Sequence, residues 1–118
     1  THGKLKVFMI LFLAVILIVL VVVCAKKIKL SQNEKNIIGT WKNSNSENVI
    51  TVQDSDTLIL YNDIPEAGLY HGNASYHFSY TDTICVTQDD ISAEFCVDVD
   101  ENQLIIYFAG QVYLVLQK

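Results

Sequence analysis

Two patterns of apolar and polar positions divide the chain. Nineteen consecutive residues, opening at Val7 and closing at Ala25 (VFMILFLAVILIVLVVVCA), carry neither a charge nor a side-chain amide. As a helix they reach ~28 Å, the hydrocarbon thickness of a bilayer, so the run predicts one transmembrane helix preceded by a short flank, residues 1–6. Residues 26–36, KKIKLSQNEKN, are polar and lysine-rich and predict a basic juxtamembrane linker with at most a helical turn before Ile37. From residue 37 the pattern changes to short apolar or alternating runs between turn residues. Strands are expected at 38–42, 48–52, 57–61, 68–71, 76–80, 81–88, 93–99, 104–109 and 112–117, some of them merging. Seven or eight short strands in residues 37–118 imply an all-β soluble domain, an antiparallel meander closed as a small barrel or folded as a sandwich. The last two runs, LIIYF and VYLVL, are apolar on both faces and belong in covered positions.

Composition narrows the picture. The chain has 118 residues, and removing the span and its flanks leaves ~80, one domain near the lower limit of independent stability. Residues 1–36 hold six lysines against Glu34, whereas residues 37–118 hold Lys42 and Lys118 against twelve carboxylates. The basic part flanks the span, as expected beside anionic headgroups. The acidic part repels nucleic acid, and the chain has no arginine for bidentate phosphate contacts, so nucleic acid is set aside as a partner. An acidic surface serves solubility, or it attracts a cationic partner.

Three fates compete for the span. Val23 and Ala25 stand where a signal-peptide cleavage site has small residues, but the apolar run exceeds the roughly 7–15 residues of such signals. Lipidation would use Cys24, but Val23 occupies the place of the usual small residue. The run is therefore read as an uncleaved, single-pass anchor in the lipid bilayer. Lys4 and Lys6 before it and Lys26, Lys27 and Lys29 after it are nearly balanced, slightly favouring a cytoplasmic C-terminus. The cysteines argue the other way. If TDTICVTQ and AEFCVDVD flank a four-residue turn DDIS, Cys85 faces Cys96, Ile84 faces Val97 and Val86 faces Phe95, leaving one face apolar. A Cys85–Cys96 disulfide is expected, stabilising by about 3 kcal/mol and placing the domain outside the cytoplasm, at the cell membrane.

The chemistry of catalysis is not found. His71 and His77 with Asp63 or Glu66 lack metal-ligand spacing, and Asp98-Val-Asp100-Glu-Asn102 lacks the glycine and glutamate of a calcium loop, so neither a metal nor a cofactor is expected. Asp54 and Asp56, and Asp89 and Asp90, sit in turns where aspartate bonds its own backbone. No activated serine or cysteine motif is present, and the chain is read as a non-enzyme. Asn73-Ala74-Ser75 fits a glycan acceptor, relevant in a eukaryotic source alone. Tyr61, Tyr70, Tyr76, Tyr80, Tyr107 and Tyr113 are candidate binding aromatics, or simply pave the sheet.

The triplet Gly39-Thr40-Trp41 opening the first strand, the meander behind it and a Tyr-containing last strand ending at Lys118 resemble the small lipocalin-like barrels of bacterial envelope proteins. The resemblance implies that Trp41 plugs the closed end of a barrel, that Gly39 permits close strand approach and that Lys118 covers the indole. Because the chain is shorter than a full lipocalin, a reduced barrel is implied. Two functions follow as expectations. One is an envelope binding domain that captures a small apolar ligand or a cationic peptide, self-protection being one version. The other is a non-catalytic accessory subunit of a membrane protein complex.

Overall fold

The computed structural model describes residues 2–118; Thr1, the first residue of the flank, lies outside the described residues. Helix α1 (His2–Asn36) is followed by eight strands: β1 (Gly39–Lys42), β2 (Asn48–Val52), β3 (Thr57–Leu60), β4 (Gly72–Tyr80), β5 (Thr83–Gln88), β6 (Ile91–Val99), β7 (Gln103–Phe108) and β8 (Gln111–Gln117). Each strand pairs antiparallel with the next, and β8 returns to β1 to close a barrel. The barrel, rather than a sandwich, is therefore the architecture.

α1 is long and apolar enough to cross a membrane. Its large apolar side chains from Val7 to Val23 stand exposed. The expected linker at 26–36 is instead the last three turns of this helix. KKIKLSQNEKN contains neither Gly nor Pro, most of it favours helix, and Lys35 lies in the last turn where a cation suits the helix dipole. The helix stops where β-branched Ile37 and Ile38 meet Gly39, whose φ of +136° starts β1.

Inward-facing residues of the meander form one core. Ile50, Val52, Leu58, Leu60, Tyr76, Ile84, Val86, Phe95, Val97, Leu104, Ile106 and Leu116 are all buried within it. The expected strand at 68–71 is not formed. A single bridge, Ile64 to Leu69, closes a loop around the 3-10 turn Pro65–Ala67, and Gly68 ends that turn at φ 75°.

The β5–β6 register corrects the cysteine pairing. Cys85 lies opposite Glu94 and Cys96 opposite Thr83, two residues away from the expected alignment. The turn is Asp89-Asp90 rather than four residues, with Asp89 at φ 53°. The sulfurs become diagonal neighbours on the outer face. Residues in that relation stand about 7–8 Å apart, beyond the reach of a disulfide without backbone movement. Cys24, Cys85 and Cys96 are all free thiols.

Candidate functional site

The meander fixes two ends. α1 enters at the near end, where the turns at 53–56, 81–82 and 100–102 lie; those at 43–47, 61–71, 89–90 and 109–110 form the far end.

The near end is sealed by one small assembly. Trp41 is fully buried and its Nε1 donates to Ile37 O at 2.8 Å. Lys118 Nζ lies 5.0 Å from the centre of the indole and donates to Asn36 O at 3.0 Å, so one lysine covers the ring and caps the C-terminus of α1. Gly39 leaves the room: a Cβ there would stand 2.6 Å from Lys118 Cε. Asn33, also buried, donates through Nδ2 to Thr81 O at 2.8 Å and ties the helix to the β4–β5 turn. Neither Asn33 nor Asn36 was singled out from sequence; a buried asparagine in a polar, lysine-rich segment has no pattern to mark it.

The barrel interior is filled. Between Ile37 at the near end and Ile64 and Leu69 at the far end remains a void of about 20 Å³, against the roughly 300–1,000 Å³ of small-molecule sites. Fully buried Leu69 and buried Ile64 are the far-end stopper. Their loop is held at three points. Gln88 receives Tyr70 N–H at Oε1 and donates to Tyr70 O, both at 2.8 Å. Tyr113 O–H donates to Glu66 Oε2 at 3.0 Å. Asp63 Oδ1 accepts the His71 backbone N–H at 2.9 Å and lies 2.6 Å from its Nδ1. Those bonds from the His71 backbone and then its ring hold Asp63 below the usual carboxylate range.

The candidate tyrosines do not converge. Tyr61, Tyr70 and Tyr113 belong to the far half. Tyr70 is widely exposed, while Tyr61 bonds Thr51 Oγ1 at 2.9 Å. Tyr76 is a core residue whose O–H donates to Asp54 O at 2.6 Å; burial first, then the nearby charges of Asp54, Glu34 and Asp56, push its phenol up to about 12. Tyr80 and Tyr107 instead line an open groove of about 1,220 Å³ between α1 and the barrel wall.

Among the described residues no group of three metal-ligating side chains occurs. His77 stands on β4 opposite Cys85, apart from His71. The calcium-like segment is a hairpin turn, in which Asp100 Oδ1 accepts the N–H groups of Asn102 and Gln103 at 2.8 and 2.7 Å. Asp54 does the same for Asp56 and Thr57; these backbone bonds lower both carboxyls, and at Asp54 the Thr57 hydroxyl, which donates to Oδ1 at 2.9 Å, adds to them.

Charge separates the ends. At the near end Asp82 shares a groove with Lys26 and Lys29, and Asp100 and Glu101 line a cleft with Lys29 and Lys35. Far-end turns carry Glu47, Asp63, Glu66, Asp89 and Asp90, and no lysine. A scan of protein-family models, a search of curated proteins and a search of solved structures each return no match to the chain.

Proposed function

We propose that the chain is a membrane-anchored, non-catalytic binding domain at the cell envelope that captures a cationic peptide on the outside of its barrel. The observation that carries this reading is the far end, opposite the basic helix: its turns hold five carboxylates and no lysine, Lys42 at the end of β1 being the one lysine that leads into them, and exposed Tyr70 stands beside them. The filled interior turns the choice between an apolar ligand and a peptide towards the peptide, because a void of about 20 Å³ has room for roughly one water. α1 supplies the anchor.

With the thiols free, no disulfide supports an extracytoplasmic placement. What bears on the side is now lysine: Lys4 and Lys6 before the span, and Lys26, Lys27, Lys29 and Lys35 after it. That count favours a cytoplasmic barrel and so supports a second reading, an accessory subunit docking on a basic segment of a membrane protein.

Both readings are tested on the full chain in phosphatidylcholine nanodiscs and in cells. A labelled lysine-rich peptide should bind, weaken with added salt, and lose affinity when Asp89 and Asp90 are changed to lysine. Equal binding of a glutamate-rich copy, or uptake of an apolar fluorophore into the barrel, would sink the proposal. Exposed Cys96 reports the side once Cys24 and Cys85 are serine: labelling by an impermeant maleimide in intact cells supports envelope capture, and labelling only after permeabilisation supports the accessory subunit.

A further inference from the structure

The barrel closes unevenly. β8 pairs with β7 from Gln111 to Gln117, but with β1 only at Gln117, opposite Lys42. β1 is four residues long and the chain leaves it at Asn43, so among the described residues no strand pairs with 111–116 on their second side. Lys118 N–H bonds Asn102 O, on the β7 side. Antiparallel alternation counted back from that bond points the N–H and C=O of Val115 the other way, out of the sheet edge.

Sheet edges are usually guarded by lysine, proline or brevity. This one is not: no charged residue and no proline occurs from Asn102 to Gln117, and Val112 and Val115 are 58% and 51% exposed beside the edge. Across the seam lies a gap of about 60 Å³, lined by Ile50, Asp63, Ile64, Tyr113 and Leu114 among others. Acid stands at its rim, since Asp63 lines it and Glu66 is bonded to Tyr113 of β8 itself.

We propose that an extended basic peptide adds to β8 as a further strand, its backbone paired around Val115 and a lysine or arginine side chain meeting Asp63 and Glu66. This rests on the cationic-peptide reading above and names where and how the peptide is held. Charge selects this occupant over a second copy of the chain, because pairing two such barrels edge to edge would bring together two domains that each carry twelve carboxylates against two lysines.

The test uses the full chain in phosphatidylcholine nanodiscs and a labelled acetyl-Lys-Val-Lys-Val-Lys-Val-amide, with a copy N-methylated at alternate residues. The copy keeps charge and side chains but cannot pair along one edge. The unmodified peptide should bind and slow hydrogen exchange at the Val115 amide, with the methylated copy about tenfold weaker. Val115→Pro should reduce binding of the unmodified peptide to the level of the copy. Should that variant lose its Trp41 fluorescence signature of folding, Val115→Lys, which guards the edge with charge, takes its place. Equal binding of both peptides overturns the strand addition while leaving cationic capture intact, whereas failure of both peptides to bind overturns both. Dimerisation abolished by Val115→Lys gives the edge to a second copy and also overturns the proposal.

Discussion

At the scale of single residues, Gly39, Trp41 and Lys118 divide the work of closing the near end. Glycine at position 39 does two things at once, and a substitution separates them. A methyl group there would meet Lys118 Cε at 2.6 Å, but the end of a lysine can swing away, at the loss of a cation–π contact of about 0.5–1 kcal/mol. The φ of +136° offers no such escape, and a non-glycine residue held in a sparsely populated backbone region costs about 1–3 kcal/mol. Gly39→Ala should therefore destabilise the barrel more than Lys118→Ala does, as read from urea midpoints. Trp41, the only tryptophan, is the fluorescent reporter. Equal costs would mean that the glycine supplies space alone. The Gly39-Thr40-Trp41 triplet made this cluster visible in the sequence. Its connection to the helix was not visible, because Asn33 and Asn36 act through one side-chain amide and one carbonyl that no periodicity marks.

At the scale of elements, the meander was legible because alternation and turn residues both mark it, and the helix because nothing polar interrupts it. The β5–β6 register was not. Alternation has a period of two, so a slip of two residues leaves every side chain on the same face and passes the same test. The turn decides instead: aspartate tolerates the left-handed conformation, so Asp89-Asp90 makes a two-residue connection, aligning Gln88 with Ile91 and Thr87 with Ser92, whose hydroxyls bond at 3.0 Å. The linker was missed for a related reason, since polarity marks solvent contact and not the end of a helix. The register has a chemical test. Val97 N–H bonds Asp82 O, and alternation from that pair makes Cys85 and Glu94 a non-hydrogen-bonded pair, with Cα atoms about 4.5 Å apart. Glu94→Cys should oxidise with Cys85 on exposure to air, seen as a gel shift on reduction. The parent chain should keep Cys85 and Cys96 reactive to maleimide without reductant. A Cys85–Cys96 link in the parent would restore the alignment that alternation alone suggested.

At the scale of the whole molecule, acidification sets two opposing electrostatic effects against each other. Protonating the barrel's twelve carboxylates relieves their mutual repulsion, which favours the folded state. Protonating Asp54, Asp63 and Asp100 removes charged acceptors that hold backbone N–H groups at 2.7–2.9 Å and are lowered for that reason. A depressed carboxylate contributes stability above its unfolded value, near 3.9, and loses it as pH falls through the folded value. The repulsion acts over distances comparable to the Debye length, ~8 Å at 0.15 M salt, whereas the turn bonds are direct contacts and are screened far less. The direct term should therefore win at physiological ionic strength: the urea midpoint falls below about pH 4, more steeply with added salt, and Asp54→Asn with Asp100→Asn flattens the fall. On the alkaline side Tyr76, raised to about 12, stabilises fully below its unfolded value near 10 and loses that contribution as pH climbs through 12, a loss that Tyr76→Phe should abolish. A midpoint that rises on acidification at 0.15 M salt would mean that self-repulsion, and not the aspartate turns, dominates the electrostatics of this barrel.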